Sequence, residues 1–492
     1  MNAMPRDPAF PPWDNAELPE PPRFRAGQWA SLIGPGLLMA GANIGAGEWL
    51  FGPLLTAKYG GAILWVATLS ILLQVCYNLS VMRYALYCGE SIFVGFFRTP
   101  PGPAFWLPAY VILDLGSYLP YAAHSAAVPI AAFWLKRPLT DDPVDTAFIR
   151  AIGYGLFALA FVPLVFGGKV YNSLERVMVA KLVLVLGFLS VVVVLYVSSE
   201  SRAEIFSGFF RFGELPAGVN WAQLAAFAAF AGAGGLSNTA FSSYARDKGW
   251  GMGSVVGAIP SAVGGKTIQL SHTGKKFEAT AENLRRWGGW LRHVLRDQCV
   301  LWAPACMIGM ALPSMLSYEF VRGGTNATGN AIGSVSAFAI GDRHGSLLWL
   351  LTLLCGFAII FPTQISNIDG LSRRWTDVLW VGLRPLRRLG GHQVKLVYYT
   401  ILGLYAAWGF MALSLSPSPA FTAILNGVLM NLGMGVSALH VIYVSWFLLP
   451  RHARLPWILQ LGLVGCGVFY IGISALTLAQ KWPDILYWLR SL

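Results

Sequence analysis

Eleven apolar stretches of about 20 residues or more run through this 492-residue chain, near residues 30–57, 62–87, 104–135, 148–168, 174–198, 219–244, 292–316, 345–372, 394–415, 420–449 and 455–479. Each is long enough to cross a hydrocarbon layer roughly 30 Å thick as a helix. A bilayer offers no water to backbone N–H and C=O groups, so continuous apolar runs of this length satisfy them internally, as helices. The expected fold is therefore all-α and integral to a membrane. Charge agrees: 12% of residues are charged, against roughly 25% in soluble domains, too few to clothe the surface of a soluble enzyme. The net charge of +12 sits mostly in short connections between apolar runs, which reads as topology rather than nucleic-acid binding.

The connection between the sixth and seventh runs carries Arg246, Lys248, Lys266, Lys275, Lys276, Arg285 and Arg286, and the one after the eighth carries Arg373, Arg374, Arg384, Arg387, Arg388 and Lys395. Both lie on one side, and the positive-inside rule makes that side cytoplasmic. A multi-pass protein of the plasma membrane (the inner membrane, in a bacterium) follows, with the N-terminus cytoplasmic and the C-terminus outside. Residues 1–28, with seven prolines and charges of both signs, read as a disordered cytoplasmic tail. The remainder divides into residues 29–199 (helices 1 to 5), an outside loop at 200–218, residues 219–450 (helices 6 to 10), and 451–492 (helix 11 and the C-terminus). A short external helix is expected within 331–340, and Asn326-Ala327-Thr328 spells a sequon to which no function attaches. Six scattered cysteines without CxxC spacing indicate neither a zinc site nor a disulfide framework.

Glycine breaks two of the eleven helices. The first reads Gly41-Ala42-Asn43-Ile44-Gly45-Ala46-Gly47-Glu48, and the sixth Gly232-Ala233-Gly234-Gly235-Leu236-Ser237-Asn238. Non-helical backbone at membrane depth is tolerated only where protein or a water-filled cavity covers it. Breaks five helices apart are what a five-plus-five inverted repeat predicts, with substrate bound at the midplane between them. Close helix packing through small residues explains either cluster singly, but not Glu48, a charge costing about 2.5 to 3.5 kcal/mol at the bilayer centre.

Gly34-Pro35-Gly36, the glycine break after it, and Tyr59-Gly60-Gly61-Ala62-Ile63-Leu64-Trp65-Val66 resemble the opening of the Nramp family of proton-coupled divalent-metal transporters. The resemblance implies a LeuT-type fold and a metal site at the two breaks. Where the family has Asp-Pro-Gly-Asn, this chain has Gly45, Ala46, Gly47 and Glu48; where it has Met-Pro-His, the nearest match is Leu236, Ser237 and Asn238. An aspartate on the third helix corresponds to Asp114, and the acidic residue one turn later to Ser117. The site is thus altered: Leu236 supplies no thioether to favour soft transition metals.

Glu48 is either a substrate, metal or proton ligand, or else a salt-bridge partner or a cap on the second half-helix, where the helix dipole favours a carboxylate. Asn238 offers a carbonyl oxygen as a second tentative metal ligand, or else ties the unwound strand to a neighbour. Gly45, Gly47, Leu236, Ser237 and Asn43 complete the expected substrate site, with Asn426 and Gln364 as secondary ligands or gate residues. For proton coupling, Asp114, Tyr118, Tyr121 and Ser125 fall at i, i+4, i+7 and i+11, one stripe of a helix; His124, about 80° off it, is a further proton-coupling candidate or else a satisfied core histidine. The stripe is a proton path or a hydrogen-bonded seam. Arg246-Asp247 and Arg373 to Asp377 read as structural ends of helices, with an ion-paired inner gate as the alternative.

The function expected is secondary transport of a cation, divalent by the resemblance, with proton coupling. A LeuT-type carrier of a small organic solute is the alternative. An integral-membrane enzyme is remote, since seven scattered histidines form no cluster. No P-loop or cofactor motif occurs. The partners expected are the cation or solute, protons and the lipid bilayer; the oligomeric state is not legible.

Overall fold

A computed structural model describes residues 10–22, 34–166, 169–262, 268–322, 331 and 333–490, with side chains to residue 482. The sequon at 326–328 and residues 1–9 and 23–33 lie outside the described residues. Nine described helices are long and apolar enough to cross a membrane, by length and composition: Trp65–Cys88, Pro143–Val165, Val170–Tyr196, Trp221–Lys248, Ala281–Phe320, Ser346–Gly382, Gly391–Leu415, Pro419–Leu448 and Trp457–Trp482. Two further apolar segments are assembled from shorter pieces. One, at 35–59, comprises Pro35–Asn43, Gly47–Phe51 and Gly52–Tyr59. The other, at 103–135, comprises Pro103–Leu113, Leu115–Tyr118 and Tyr121–Leu135. In chain order these are segments 1 to 11 below, 35–59 being segment 1 and 103–135 segment 3.

Local chemistry sets where several of them start. Asp142 accepts from the N–H groups of Val144 and Asp145, with Pro143 in the first turn. Asn220 caps segment 6 through Ala222 and Gln223, and Ser418 caps segment 10 through Phe421, again with proline following. These side chains satisfy N–H groups that have no partner inside the helix, and proline is tolerated there because its missing N–H would be orphaned anyway.

Residues 10–22, part of the stretch expected to be a disordered tail, are instead strapped to the protein. Asp14–Asn15 pairs in parallel with Lys275–Lys276, Leu18 is fully buried, and Trp290 Nε1 donates to the Pro19 carbonyl at 2.8 Å. Arg286 holds Glu17 and Glu20. Proline-rich composition denies this strap a helix, but not partners. The face carrying the strap also carries the connection after segment 6 and, through Leu270 N–H to Gly391 O, the connection after segment 8; it is called the N-terminal face below.

Three segments and one connection depart from expectation. Segment 3 is interrupted, because Pro120 supplies no N–H and pushes Leu119 to extended backbone (φ −90°, ψ 122°). Asp114, Tyr118, Tyr121 and Ser125 therefore do not form one helical stripe. Segment 8 runs on to Gly382 because Arg373, Arg374 and Asp377 are buried among partners rather than solvated in a loop. Segment 7 starts early, with the amphipathic turns Ala281–Arg296. The expected loop at 200–218 contains a helix, Ser199–Gly208, whose Glu204 accepts from Gly61 N–H at 3.0 Å. The short helix expected within 331–340 is found at Val335–His344.

Candidate functional site

Segment 1 stops at Asn43: Ile44 turns extended (ψ 92°), and a π-helical turn over Gly47–Phe51 restarts the helix. Segment 6 stops at Phe230, passes through Gly232, Gly234 and Gly235 at positive φ, and resumes through the 3₁₀ turn Gly235–Thr239. Positive φ is cheap only for glycine. The freed backbone groups must still be satisfied, and side chains from distant segments do it. Gln74 Oε1 accepts from Ala233 N–H at 2.8 Å, and its Nε2 donates to Ala231 O at 2.8 Å. Ser70 donates to Ala228 O and Ala231 O. At the other break, Thr363 Oγ1 donates to Ala42 O at 2.9 Å.

The two breaks touch. A Cβ on Gly47 would stand 2.4 Å from the Phe230 carbonyl oxygen, so only glycine permits this crossing. Phe230 stacks on Phe51 (5.7 Å between centroids) and meets Tyr121 at 4.9 Å, closing the space on the face opposite the N-terminal one. Between breaks and stack lies a cavity of about 20 Å³, as swept by the centre of a water-sized sphere. That volume admits one water or one small ion. Asn43, Tyr121, Ser237, Tyr244, Ser366 and Asn367 supply most of its polar lining, and Met39 and Met430 two thioethers.

The expected site residues divide around this cavity. Asn43 and Ser237 line it, and Asn43 Nδ2 has no protein partner. Gly45 and Gly47 shape it without lining it. Glu48 is fully buried but also not in the lining: its Oε2 accepts from Gly45 N–H at 2.7 Å, and Oε1 has no partner. Leu236 is packed beside Gly433. Asn238 turns its Nδ2 to Gly235 O and Met434 Sδ, each at 3.4 Å. Gln364 accepts from Ala123 N–H at 3.1 Å, where the second half of segment 3 begins. Asn426 donates to Gly116 O at 2.5 Å, inside the segment 3 break. Both amides thus serve broken backbone.

The expected proton path is also redistributed. Asp114 is ion-paired to Arg374 at 2.9 Å and accepts from Trp375 Nε1 at 3.1 Å. Tyr118 faces an apolar groove with Leu107, Trp375 and Trp408. His124 meets Ser416 at 3.2 Å through Nδ1, with Nε2 unpartnered.

On the N-terminal face the cavity is shut by charges that the sequence presents as ordinary helix ends. Arg246 bonds Asp247 and Asp377, each at 2.7 Å; Arg373 bonds Asp247 and, at 3.0 Å, Asp369. Tyr244 and Tyr398 donate to Asp369 at 2.8 and 2.6 Å. All five charged side chains are at most 3% exposed. Lys181, on segment 5, was missed at the level of sequence. The rule that singles out Glu48, an ionisable group inside an apolar run, singles it out as well. Among the described residues, no group of three or more His, Cys, Asp or Glu side chains is placed to hold a metal.

Solved structures of similar fold include transporters. The chain superposes on a histidine-to-alanine variant of the manganese transporter of Eremococcus coleocola with TM-score 0.58 at 12% identity, covering 94% of this chain and 90% of that one. The same transporter with an aromatic bis-isothiourea compound gives 0.56 at 12% identity, covering 95% and 91%. The fold is LeuT-type. Mhp1, a nucleobase-cation-symport-1 family transporter in a closed conformation with bromovinylhydantoin bound, matches at TM-score 0.51 and 12% identity over 96% of both chains. No protein-family model and no curated protein matches the sequence.

Proposed function

We propose that this multi-pass membrane protein is a secondary active transporter that moves a small cation through the cavity between the breaks of segments 1 and 6, driven by protons. Its eleven segments, with breaks in the first and sixth, suit a five-plus-five repeat, and the basic connections suit a cytoplasmic N-terminal face. The observation that carries the reading is the cavity itself: about 20 Å³, closed by aromatics on one side and ion pairs on the other, at the level where both backbones unwind. A space of that size fits a dehydrated ion. Its donors are amide and hydroxyl oxygens from Asn43, Ser237, Ser366 and Asn367, and the thioethers of Met39 and Met430 stand in for the sulfur absent at Leu236. The likeness to a manganese transporter supports a divalent ion.

A small organic solute is the second reading, favoured by one feature: no carboxylate is in the lining, so a divalent charge meets only neutral donors there. Uptake into proteoliposomes separates the two. The cation reading expects saturable Mn²⁺ or Mg²⁺ uptake, stimulated by an inward proton gradient and reduced by Asn43→Ala. Uptake of neither ion, beside uptake of an uncharged solute, would reject it.

A further inference from the structure

Segment 5 is an apolar helix with one charge along its middle. Lys181 is 5% exposed, and its position follows from a close crossing: a Cβ on Gly41 would stand 2.4 Å from Met178 O, so segment 5 lies directly on segment 1. Lys181 is about one turn beyond Met178, beside the segment 1 break. Its ammonium donates to Thr363 Oγ1 at 3.1 Å, and that hydroxyl donates to Ala42 O at 2.9 Å. An ammonium has three donors; here one is used in a described hydrogen bond.

Across the break sits the complementary deficit. Glu48 holds Gly45 N–H with one oxygen and leaves the other, buried, with no partner. Thr363 Oγ1 stands 2.8 Å from the Cβ position of Gly45, so ammonium, hydroxyl, break and carboxylate form one packed unit. The other titratable groups facing it are Tyr121 from segment 3, Cys306 from segment 7 and Cys355 from segment 8. Phenols and thiols are uncharged near neutrality. Glu48 and Lys181 are thus the two opposite charges here, joined to the same break through Gly45 N–H and through Thr363 to Ala42 O, yet not among the described ion pairs within 4.0 Å.

We infer that Glu48 and Lys181 together are the proton-binding site that couples transport, bridged to the segment 1 break by Thr363. The inference rests on the transport reading and replaces Asp114, whose carboxylate is committed to Arg374 and Trp375. As carboxylate and ammonium the couple carries no net charge. One proton from the aqueous phase on one side forms an O–H bond at the free Oε1, giving carboxylic acid and ammonium, net +1. That bond breaks in the opposite conformation, the proton leaves to the other side, and no other atom is exchanged. Protonating Glu48 takes the counter-charge from Lys181, which then leans on Thr363 and through it on Ala42. Proton occupancy thereby bears on the backbone that positions Asn43 in the cavity.

The test uses the full chain in liposomes, with Mn²⁺ and Mg²⁺ as probes, an internal pH dye, and infrared titration of the protonated-carboxyl stretching band. Wild-type uptake is expected to carry protons and to rise several-fold with an inward proton gradient. Lys181→Met and Glu48→Gln should lose that stimulation. So should Lys181→Arg, which keeps the charge but replaces the compact ammonium with a planar fork; it serves where Lys181→Met fails to fold. The band should vanish in Glu48→Gln and its midpoint should move by more than one pH unit in Lys181→Met. Retained gradient stimulation in Lys181→Met, or a band indifferent to that substitution, overturns the inference. If the wild type moves neither ion, the cation reading fails, and the infrared titration still decides the proton site.

Discussion

The buried charges of segments 6 and 8 allow a prediction whose sign is counter-intuitive. Two arginines, 246 and 373, face three aspartates, 247, 369 and 377, all at most 3% exposed. Removing Arg373 leaves one arginine among three carboxylates: Asp369 keeps only the hydroxyls of Tyr244 and Tyr398, and Asp247 keeps only Arg246 among its ion-pair partners. Stranding a buried charge in this way costs about 3 to 5 kcal/mol, and Tyr244 also loses the guanidinium 5.1 Å above its ring. Removing the charge of Asp247 instead leaves Arg246 with Asp377 and Arg373 with Asp369, two complete pairs. Asn at 247 keeps one carbonyl acceptor, so its cost is that of weakened charge-assisted hydrogen bonds, about 1.5 to 3 kcal/mol. Arg373→Met should therefore be less stable than Asp247→Asn by about 2 kcal/mol, in SDS-induced unfolding from mixed micelles followed by tryptophan fluorescence. The double variant Arg373→Met/Asp369→Leu should recover part of the loss, since an apolar pair of similar volume often matches a buried ion pair. Equal stability of the two single variants, or no recovery in the double, would refute the reasoning.

Glu48→Gln should abolish proton-stimulated uptake in a protein that still folds, because Gln still accepts from Gly45 N–H; uptake assays paired with size-exclusion profiles check both halves. Asp114→Asn is expected to cost about 3 kcal/mol, since it strands the buried Arg374, and to leave any proton stimulation of the surviving protein intact. Gly47→Ala should lower stability by about 1 to 3 kcal/mol or block insertion, since the new methyl meets backbone that cannot swing aside, as size-exclusion profiles will report. Outside the spans, Arg211 foremost, aided by Gly61 N–H, holds the Glu204 carboxyl below the usual carboxylate range. A depressed folded value means its stabilisation is full above the ordinary value of about 4.3 and is lost as pH falls through the folded value. Hydrogen exchange in 199–211 should therefore accelerate, corrected for intrinsic rate, on acidification below that point, and Glu204→Gln should flatten the response.

Which parts of this were legible depends on whether the physics is local. The breaks were, because glycine at positive φ and a charge in an apolar run are statements about single positions: Gly234, Gly235 and Glu48 carry them in the sequence. The segment 3 break was also local, and Pro120 announces it, but the polar spacing of Asp114, Tyr118 and Tyr121 imitates a continuous helix. What satisfies the broken backbone was not legible. Gln74 reaches Ala233 and Thr363 reaches Ala42 across 159 and 321 residues, and nothing in an isolated glutamine or threonine announces such a partner. Arg246 and Arg373 misled for a related reason. A basic residue at a helix end has the same appearance whether it faces water or three buried aspartates, and only the fold brings segments 6 and 8 together.

The two closures of the cavity differ in kind, and the difference bears on how a cycle is driven. Phe230 against Phe51 and Tyr121 is an apolar contact, held in register by the glycine crossing at Gly47; opening it exposes aromatic surface, at about 25 cal/mol per Å². The opposite closure is ionic, and opening it admits water to five charges that are already paired with one another. Part of what is lost in ion pairing is then regained in hydration, as the near balance of buried ion pairs requires. Neither closure touches Glu48 or Lys181 through a described hydrogen bond or ion pair. What those two residues touch is the hinge itself, through Gly45 N–H and Thr363 to Ala42 O. A proton arriving there has no gate to unlock directly. It changes the charge at the unwound backbone between the gates, and a ligand shifts a two-state equilibrium only by its differential interaction with the two states. On this geometry the differential term is the strength with which segment 1 is tied to segments 5 and 8. Loosening that tie without altering charge, by Thr363→Val, should therefore uncouple the protein while leaving Glu48 titratable. A Thr363→Val protein with full proton stimulation would mean that the coupling runs by another route.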